Sequence, residues 1–450
     1  MKKLLFALAV GSCISMVSVF AADRPFAGDL SHLGSSSQDV NAIFDEGLSL
    51  FGQKRYQEAG AKFRQVIAIR PSIPEAHYNL GLCYFNLDQY NDAIGSFKEA
   101  VRYKSDYYSA YRYMGSSYYE QKNYTEAVAA YREAVRIKPD YVDVYIYLGN
   151  SLDYLNRYNE AVAAYQKALQ YDPNNGSIYY ELGVTYYRQK NYTAAETAYL
   201  KAKQLKPNDP STLNNLGNTL ERLERKAESI PLYLEAIRIN PNYLNGHKNL
   251  ARLYKEAKRY AEAVVQYKEV IRLDAGSYEA HTDLGNVYDD QGFSDLAITE
   301  FNAAIAIKPD HADAYLGLGN VQYNKKQYAE SVPYYEKVVQ YETDSEIGHE
   351  YLADAYRLTG KTDAAIVEYQ KTIALNAKNS AAHYELGMLW VKKRNAARAQ
   401  AALKTTTAAK RKILLAQVAA HEAEARSVHS KLTILAYDQG AKLLAEINKP

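Results

Sequence analysis

Apolar and polar residues alternate along this chain with two nested periods. The short period is helical. Within "YSAYRYMGSSYYEQKNYTEAVAAYREAVRIKPD", residues 108–140, apolar side chains recur three and four places apart in two runs, with the polar stretch "EQKN" between them. That is the spacing of two amphipathic helices joined by a tight turn. The long period is marked by small residues at one constant step, at Gly47, Gly81, Gly115, Gly149, Gly183, Gly217, Ala251, Gly285, Gly319, Ala353 and Gly387, with nothing inserted or deleted across eleven units. Twelve places after each comes a second small residue, from Ala59 and Ala93 to Ala399, with Ser229 and Ser331 among them. Four further on stands a ring in ten units: Phe63, Phe97, Tyr131, Tyr165, Tyr199, Tyr233, Tyr267, Phe301, Tyr335 and Tyr369, with Leu403 last. Proline closes six units, at Pro71, Pro139, Pro173, Pro207, Pro241 and Pro309.

Small residues on both helices let two backbones cross closely, and the ring fills the space beside the crossing. Proline ends the second helix because it has no amide hydrogen to donate and disfavours helix in the residue before it. A lone hairpin cannot bury both faces, so units stack on their neighbours. The pattern resembles the tetratricopeptide repeat family in repeat length, in the "LG" pair, the following Tyr, the Ala, the ring and the Pro. It departs where the early Trp of that family is replaced, by His77, Tyr111, Tyr145 and Tyr179, and where Ser105, Ala275, Thr343 and Ala377 replace the closing Pro. The resemblance implies an all-α, right-handed superhelical solenoid of about eleven 34-residue hairpins over residues 40–413. Residues 414–450 then read as capping helices, because an open end leaves apolar surface wet.

The N-terminus, "MKKLLFALAVGSCISMVSVFAADRPF", has two lysines, an uncharged stretch from Leu4 to Ala22 and small residues before Asp23, the shape of a secretory signal. Cleavage after Ala21 leaves Val19 and Ala21 in the small-residue positions, giving a signal over 1–21 and a leader over 22–39. The rival reading is a lipoprotein box with Cys13 acylated. The sequence thus predicts an exported protein, periplasmic or secreted, held at a membrane only if Cys13 is lipidated or the signal is uncleaved. After cleavage Cys83 alone remains, so an intramolecular disulfide is excluded and packing must stabilise the fold.

Lys plus Arg (54) nearly balances Asp plus Glu (52), which leaves no general basic field and argues against nucleic acid as a partner. No phosphate-binding glycine loop or nucleophile elbow occurs, and His421, Glu422 and His429 do not match the two-histidine metal motif, because position 425 is Ala. The expectation is a non-enzymatic chain with no catalytic residues, no cofactor and no metal site. Function then falls to the solenoid's own face.

That face can be derived by taking the first small residue of each unit as position 8 and advancing about 100° per residue. Positions 4, 7, 8, 11 and 14 share a packed arc; positions 2, 5, 6, 9, 12 and 13 form an open arc. In the family the resemblance points to, the open arc lines the groove that holds peptides. Early units place Phe44, Phe51, Tyr78, Leu82, Phe85, Tyr119, Tyr180 and Tyr187 there, large side chains where packing does not require them. Middle units place Asn150, Asn214, Asn215, Asn218, Lys248, Asn249, Arg252, Lys255 and Asn286 there, with Asn320 following. Amides pair with a peptide main chain without reading its side chains. Asn79, Asn215 and Asn249 are similar to the asparagine ladder of O-GlcNAc transferase. The carboxylate clamp of chaperone-binding repeats is matched by Asn218 and Asn249 alone: Asn214 stands where a Lys is expected, and Glu279 and Asp283 where two bases are. The basic run 248–255 beside acidic Glu279, Asp289, Asp290 and Asp313 reads either as internal pairing or as opposed patches that fix a ligand's direction. The predicted partners are therefore protein or peptide segments. The alternative is a subunit of an envelope assembly or polysaccharide-export machine, its rings facing saccharide.

Overall fold

The computed structural model describes residues 38–403, 405–434 and 439–449. The predicted signal and almost all of the leader lie outside the described residues. The only regular structure among the described residues is helical, in 23 helices. They fall into two compact units, one ending at Tyr243 and the other beginning at Leu244.

The first unit holds α1 (Gln38–Gly52) to α12 (Lys226–Ile239), six hairpins in which each helix packs on the next in chain order. The second holds α13 (Leu244–Glu256) to α20 (Thr362–Leu375), four more hairpins, then α21 (Ser380–Ala402), α22 (Ala408–Ile434) and α23 (Gln439–Ile447). Both have the stacked-hairpin architecture that the long period predicts.

The sequence sets each hairpin locally. The turn is made by one residue in the left-handed region, at Lys54, Asp88, Lys122, Asn156, Lys190, Glu224, Lys258, Gly292, Lys326 and Gly360, recurring at the same step as the small residues, with φ from 57° to 80°. In the turn after Glu120, Lys122 and Asn123 donate their amides to Tyr119 and Tyr118 at 2.8 Å, satisfying carbonyls the helix end would leave bare. At the crossing, a Cβ on Gly115 would stand 2.7 Å from the Tyr131 ring and one on Gly217 2.6 Å from the Tyr233 ring. These glycines are there for close approach. Tyr131, Tyr165, Tyr199, Tyr233, Tyr335 and Tyr369 are among the most deeply buried side chains of the molecule.

The eleventh period is built differently. Over "WVKKRNAARAQAA" the residues favour helix and none adopts the left-handed conformation, so α21 runs unbroken where the period predicts a hairpin. Gly387 faces Leu443 and Val428 in place of a ring. Long α22 and short α23 close over α21, burying Leu386, Leu389, Val428, Leu432, Leu443 and Ile447 with Tyr369 in one cluster.

Candidate functional site

The helical wheel assigns position 5 to the open arc, and here the structure corrects the assignment. Phe44 is 1% exposed, packed edge-on to Phe63; Tyr78 is 2% exposed between Phe97, Tyr107 and Tyr113; Tyr180 packs on Tyr199. Asn214 is buried too, and so are Asn79 and Leu82. The physical reason is helix packing. Side chains here pack on the ring of their own hairpin's second helix and, at Tyr78 and Tyr180, also on the first helix of the next repeat, neither of which a wheel drawn on one helix contains.

Several of the amides prove to be structural partners. The Tyr165 hydroxyl donates to Asn150 Oδ1 at 2.5 Å, Tyr233 to Asn218 at 2.7 Å, and Tyr335 to Asn320 at 2.9 Å. Each asparagine is at position 9 and each tyrosine is the ring of the same hairpin. Ser116 and Asp354 serve Tyr131 and Tyr369 in the same way, at 3.1 and 2.5 Å. A buried phenol needs a partner, and in these five hairpins position 9 supplies it; in those of Tyr199 and Tyr267 the position is Val184 and Arg252. Asn286 is the exception: its ring is Phe301, without a hydroxyl, and the amide makes no hydrogen bond among the described residues. Asn215, buried, donates to the Tyr180 hydroxyl at 3.1 Å and accepts from Asn214.

In the second unit, charges on the open arc are consumed internally. Exposed Lys248 reaches Asp274 at 3.8 Å, half-buried Arg252 pairs with Glu256 at 2.9 Å, and Lys255 with Asp283 at 2.8 Å. Half-buried Asn249 has its own contacts. The basic run is paired internally, but the acids in contact with it are Asp274, Glu256 and Asp283, outside the acidic group named from the sequence.

What stays open is position 12. Phe51, Phe85, Tyr119 and Tyr187 are half-buried, and each is held edge-on by the ring five places later, Tyr56, Tyr90, Tyr124 and Tyr192, with centroids 5.1–5.6 Å apart. Tyr323 and Tyr328 repeat the pair in the second unit. Tyr154 stacks flat on Tyr124 at 4.6 Å and meets Tyr119 edge-on, so three rings form a platform in the middle of the first unit.

Beside that platform lies a group of residues that sequence reasoning misses. Asp153, at position 12 of α7 (Val142–Tyr154), and Glu181, at position 6 of α9 (Gly176–Arg188), lie close enough for their charges to interact, and one cation, Arg188, acts on both. Arg188 is ion-paired to Asp153. Glu181 is 5% exposed and makes neither a hydrogen bond nor an ion pair among the described residues. Burial, and after it the Asp153 charge, pushes the Glu181 carboxyl up to about 7, and burial raises Asp153 as well. The signal in the sequence is one acid on the first helix of a unit and another on the first helix of the next, a placing that means contact only once the stacking is known. Cys83 is buried, its thiol pushed up to about 12 by burial, and is inert packing.

Family comparisons agree with this architecture. Models described as tetratricopeptide repeat match residues 74–107, 148–210, 210–243, 232–265 and 282–345, and one described as TPR repeat matches 47–88, 115–153 and 353–393. No curated protein sequence matches. Among solved structures, YrrB, titled a TPR protein with an unusual peptide-binding site, is similar at 26% identity, covering 41% of this chain and 95% of its own, with a TM-score of 0.37. The C-terminal part of a TPR repeat-containing protein from Cytophaga hutchinsonii is similar at 20% identity, over 54% of this chain and 99% of its own, with a TM-score of 0.48. The pilF protein of Pseudomonas aeruginosa is similar at 21% identity, over 48% of this chain and all of its own, with a TM-score of 0.40. With the repeat models matching most of the sequence between residues 47 and 393, and stacked hairpins in both units, this chain belongs to the tetratricopeptide repeat family.

Proposed function

We propose that this chain is an exported, non-enzymatic scaffold that captures an extended segment of another envelope or secreted protein along its open arc. Solenoids of this kind present extended binding surfaces, and repeats of this family build protein–protein interaction scaffolds. The observation that carries the reading is the ring ladder at position 12. Four half-buried rings in one unit, each fixed by an edge-to-face neighbour, offer large contact area with little conformational entropy left to lose on binding. Export is supported by the lysine pair, apolar run and small residues of positions 1–22.

The test is a photo-crosslinking amino acid placed at Tyr119 and, as a control, at exposed Ala129 of the same hairpin. Crosslinks to a defined envelope or secreted protein from Tyr119 and not from Ala129 are the expected result. Saccharide retained in place of protein favours the polysaccharide-export alternative and sinks the peptide reading. N-terminal sequencing of the mature chain should begin at Ala22, and a chain retaining Met1 removes the soluble exported form.

A further inference from the structure

The slot between position 12 of one hairpin and position 6 of the next recurs through both units, and its occupants are complementary wherever it carries rings or opposite charges. Phe85 meets Tyr113 and Tyr323 meets Tyr351, ring against ring. Lys255 pairs with Asp283 at 2.8 Å and Arg357 with Glu385 at 3.3 Å, cation against carboxylate. Asp153 and Glu181 occupy the same slot with two carboxylates. Arg188 enters from position 13 and is committed to Asp153. Among the described residues Glu181 is left with no donor and no cation in contact, although only 5% of it is exposed and its oxygens keep an opening to solvent.

We propose that the Asp153–Glu181 slot is the receptor for one cationic side chain, a lysine or arginine, of the captured segment. This rests on the groove reading above and adds the chemistry of its central subsite. A buried carboxylate without a partner is costly, and in the two sister slots that carry a carboxylate at position 6, those of Asp283 and Glu385, a cation of the chain itself supplies what is missing here. The surroundings suit a long basic side chain. The Arg188 guanidinium already lies over the Tyr154 ring, 5.8 Å from its centroid, so a basic side chain runs beside the ring platform at this place, and Tyr187 stands one repeat further on. The groups facing Glu181 from the packed elements are Asp153 of α7, Arg188 of its own helix, and the phenols of Tyr165, Tyr180 and Tyr199. All three phenols are held neutral by burial, so Arg188 is the one cation at the site among the described residues. A segment read by this arc has the order apolar, basic, apolar.

The experiment pans a random dodecapeptide phage library against the full chain and its Glu181→Gln variant at pH 7.5 and physiological salt. The wild-type protein should select segments with Lys or Arg at one fixed place between apolar residues, and the variant should select a neutral residue there. A peptide selected by the wild type should bind the variant at least about tenfold more weakly, the equivalent of ~1.4 kcal/mol. Asp153→Asn, which frees Arg188 to repel the incoming cation, should weaken the same peptide at least as much. Retention of the basic residue on the variant with unchanged affinity, or a wild-type consensus without a basic residue, overturns the receptor and leaves the groove reading standing. If neither protein enriches any sequence, the groove reading itself falls and the receptor with it. Glu181→Gln removes a buried charge without changing shape, and its unfolding transition verifies that a lost affinity is not a lost fold.

Discussion

Of the inter-repeat slots that recur on one backbone register, two, one in each unit, are electrically opposite. In the second unit Arg357 lies between Asp354 and Glu385 at 3.0 and 3.3 Å and donates to the Tyr369 hydroxyl, so every acid there has a cation. In the first unit Asp153 and Glu181 share Arg188, which touches one of them. The difference teaches where each unit spends its charge. The slot at Arg357 uses charge to hold two hairpins together, and the slot at Glu181 leaves a buried carboxylate unmatched beside a platform of rings.

The largest effect that would sharpen this contrast is expected from Glu181→Gln. The carboxyl titrates near its ordinary 4.5 when unfolded and at about 7 in the fold. The folded state therefore resists ionisation. The penalty is absent below the unfolded value, grows as pH rises from there to about 7, and is complete above it. The gap corresponds to ~3 kcal/mol, so the variant should be more stable than the wild type by up to that amount at pH 8 and equal to it at pH 4, in urea unfolding at the two pH values. No gain at pH 8 means Glu181 is already matched and the contrast is broken. Arg357→Met should act in the other direction, destabilising by about 2 kcal/mol at pH 8, less than for a fully enclosed pair because the arginine is partly exposed, and by less at pH 3, where Glu385, its carboxyl raised by burial, is protonated. A variant as stable as the wild type at pH 8 would mean that the pairing in this slot does not hold its two hairpins together.

The pairing of position 9 with the ring gives a smaller test that spans both units. Tyr233→Phe leaves Asn218 and Glu221 without the hydroxyl they share and should lower stability by about 1 kcal/mol. Phe301→Tyr in the second unit gives Asn286 the donor it lacks and should raise stability by up to about 1 kcal/mol. If thermal unfolding shows Phe301→Tyr destabilising, position 9 is not a general phenol acceptor. The smallest effect is expected at the turns. Lys190 has φ 63°, and Lys190→Gly should gain about 0.5 kcal/mol by relieving the left-handed strain, with the greater freedom of glycine in the unfolded chain taking back part of it. A loss of stability in the same assay would mean that the Lys190 side chain contributes more than its strain.

The helices, turns, glycine crossings and ring slots are legible because each follows from residues inside one hairpin. Gly115 and Tyr131 lie on α5 (Tyr108–Glu120) and α6 (Tyr124–Ile137), two helices joined by a short turn, and little else can place them. The open arc is legible in part. Phe85, Tyr119 and Tyr187 remain half-buried and on display, whereas Phe44, Tyr78, Tyr180 and Asn214 are buried. The asparagines that read as ligand contacts at 150, 218 and 320 have a nearer claimant in the phenol of their own hairpin, a contact the wheel of a single helix cannot draw.

The sequence by itself determined the period, the hairpin and the ring-on-glycine crossing, because these depend on helical spacing and on steric limits that act over a few turns. The eleventh hairpin misleads because the small-residue pattern continues through it while the turn chemistry stops. Only the tertiary structure decided which sides of each first helix are covered by its own hairpin and by the next repeat, and with it the fate of every residue at positions 5, 6 and 12. Burial and charge compensation depend on what a neighbouring helix brings to within a few ångströms. Asp153 and Glu181, on separate hairpins of a chain with near-equal numbers of acids and bases, become an unmatched pair only when α7 and α9 are stacked.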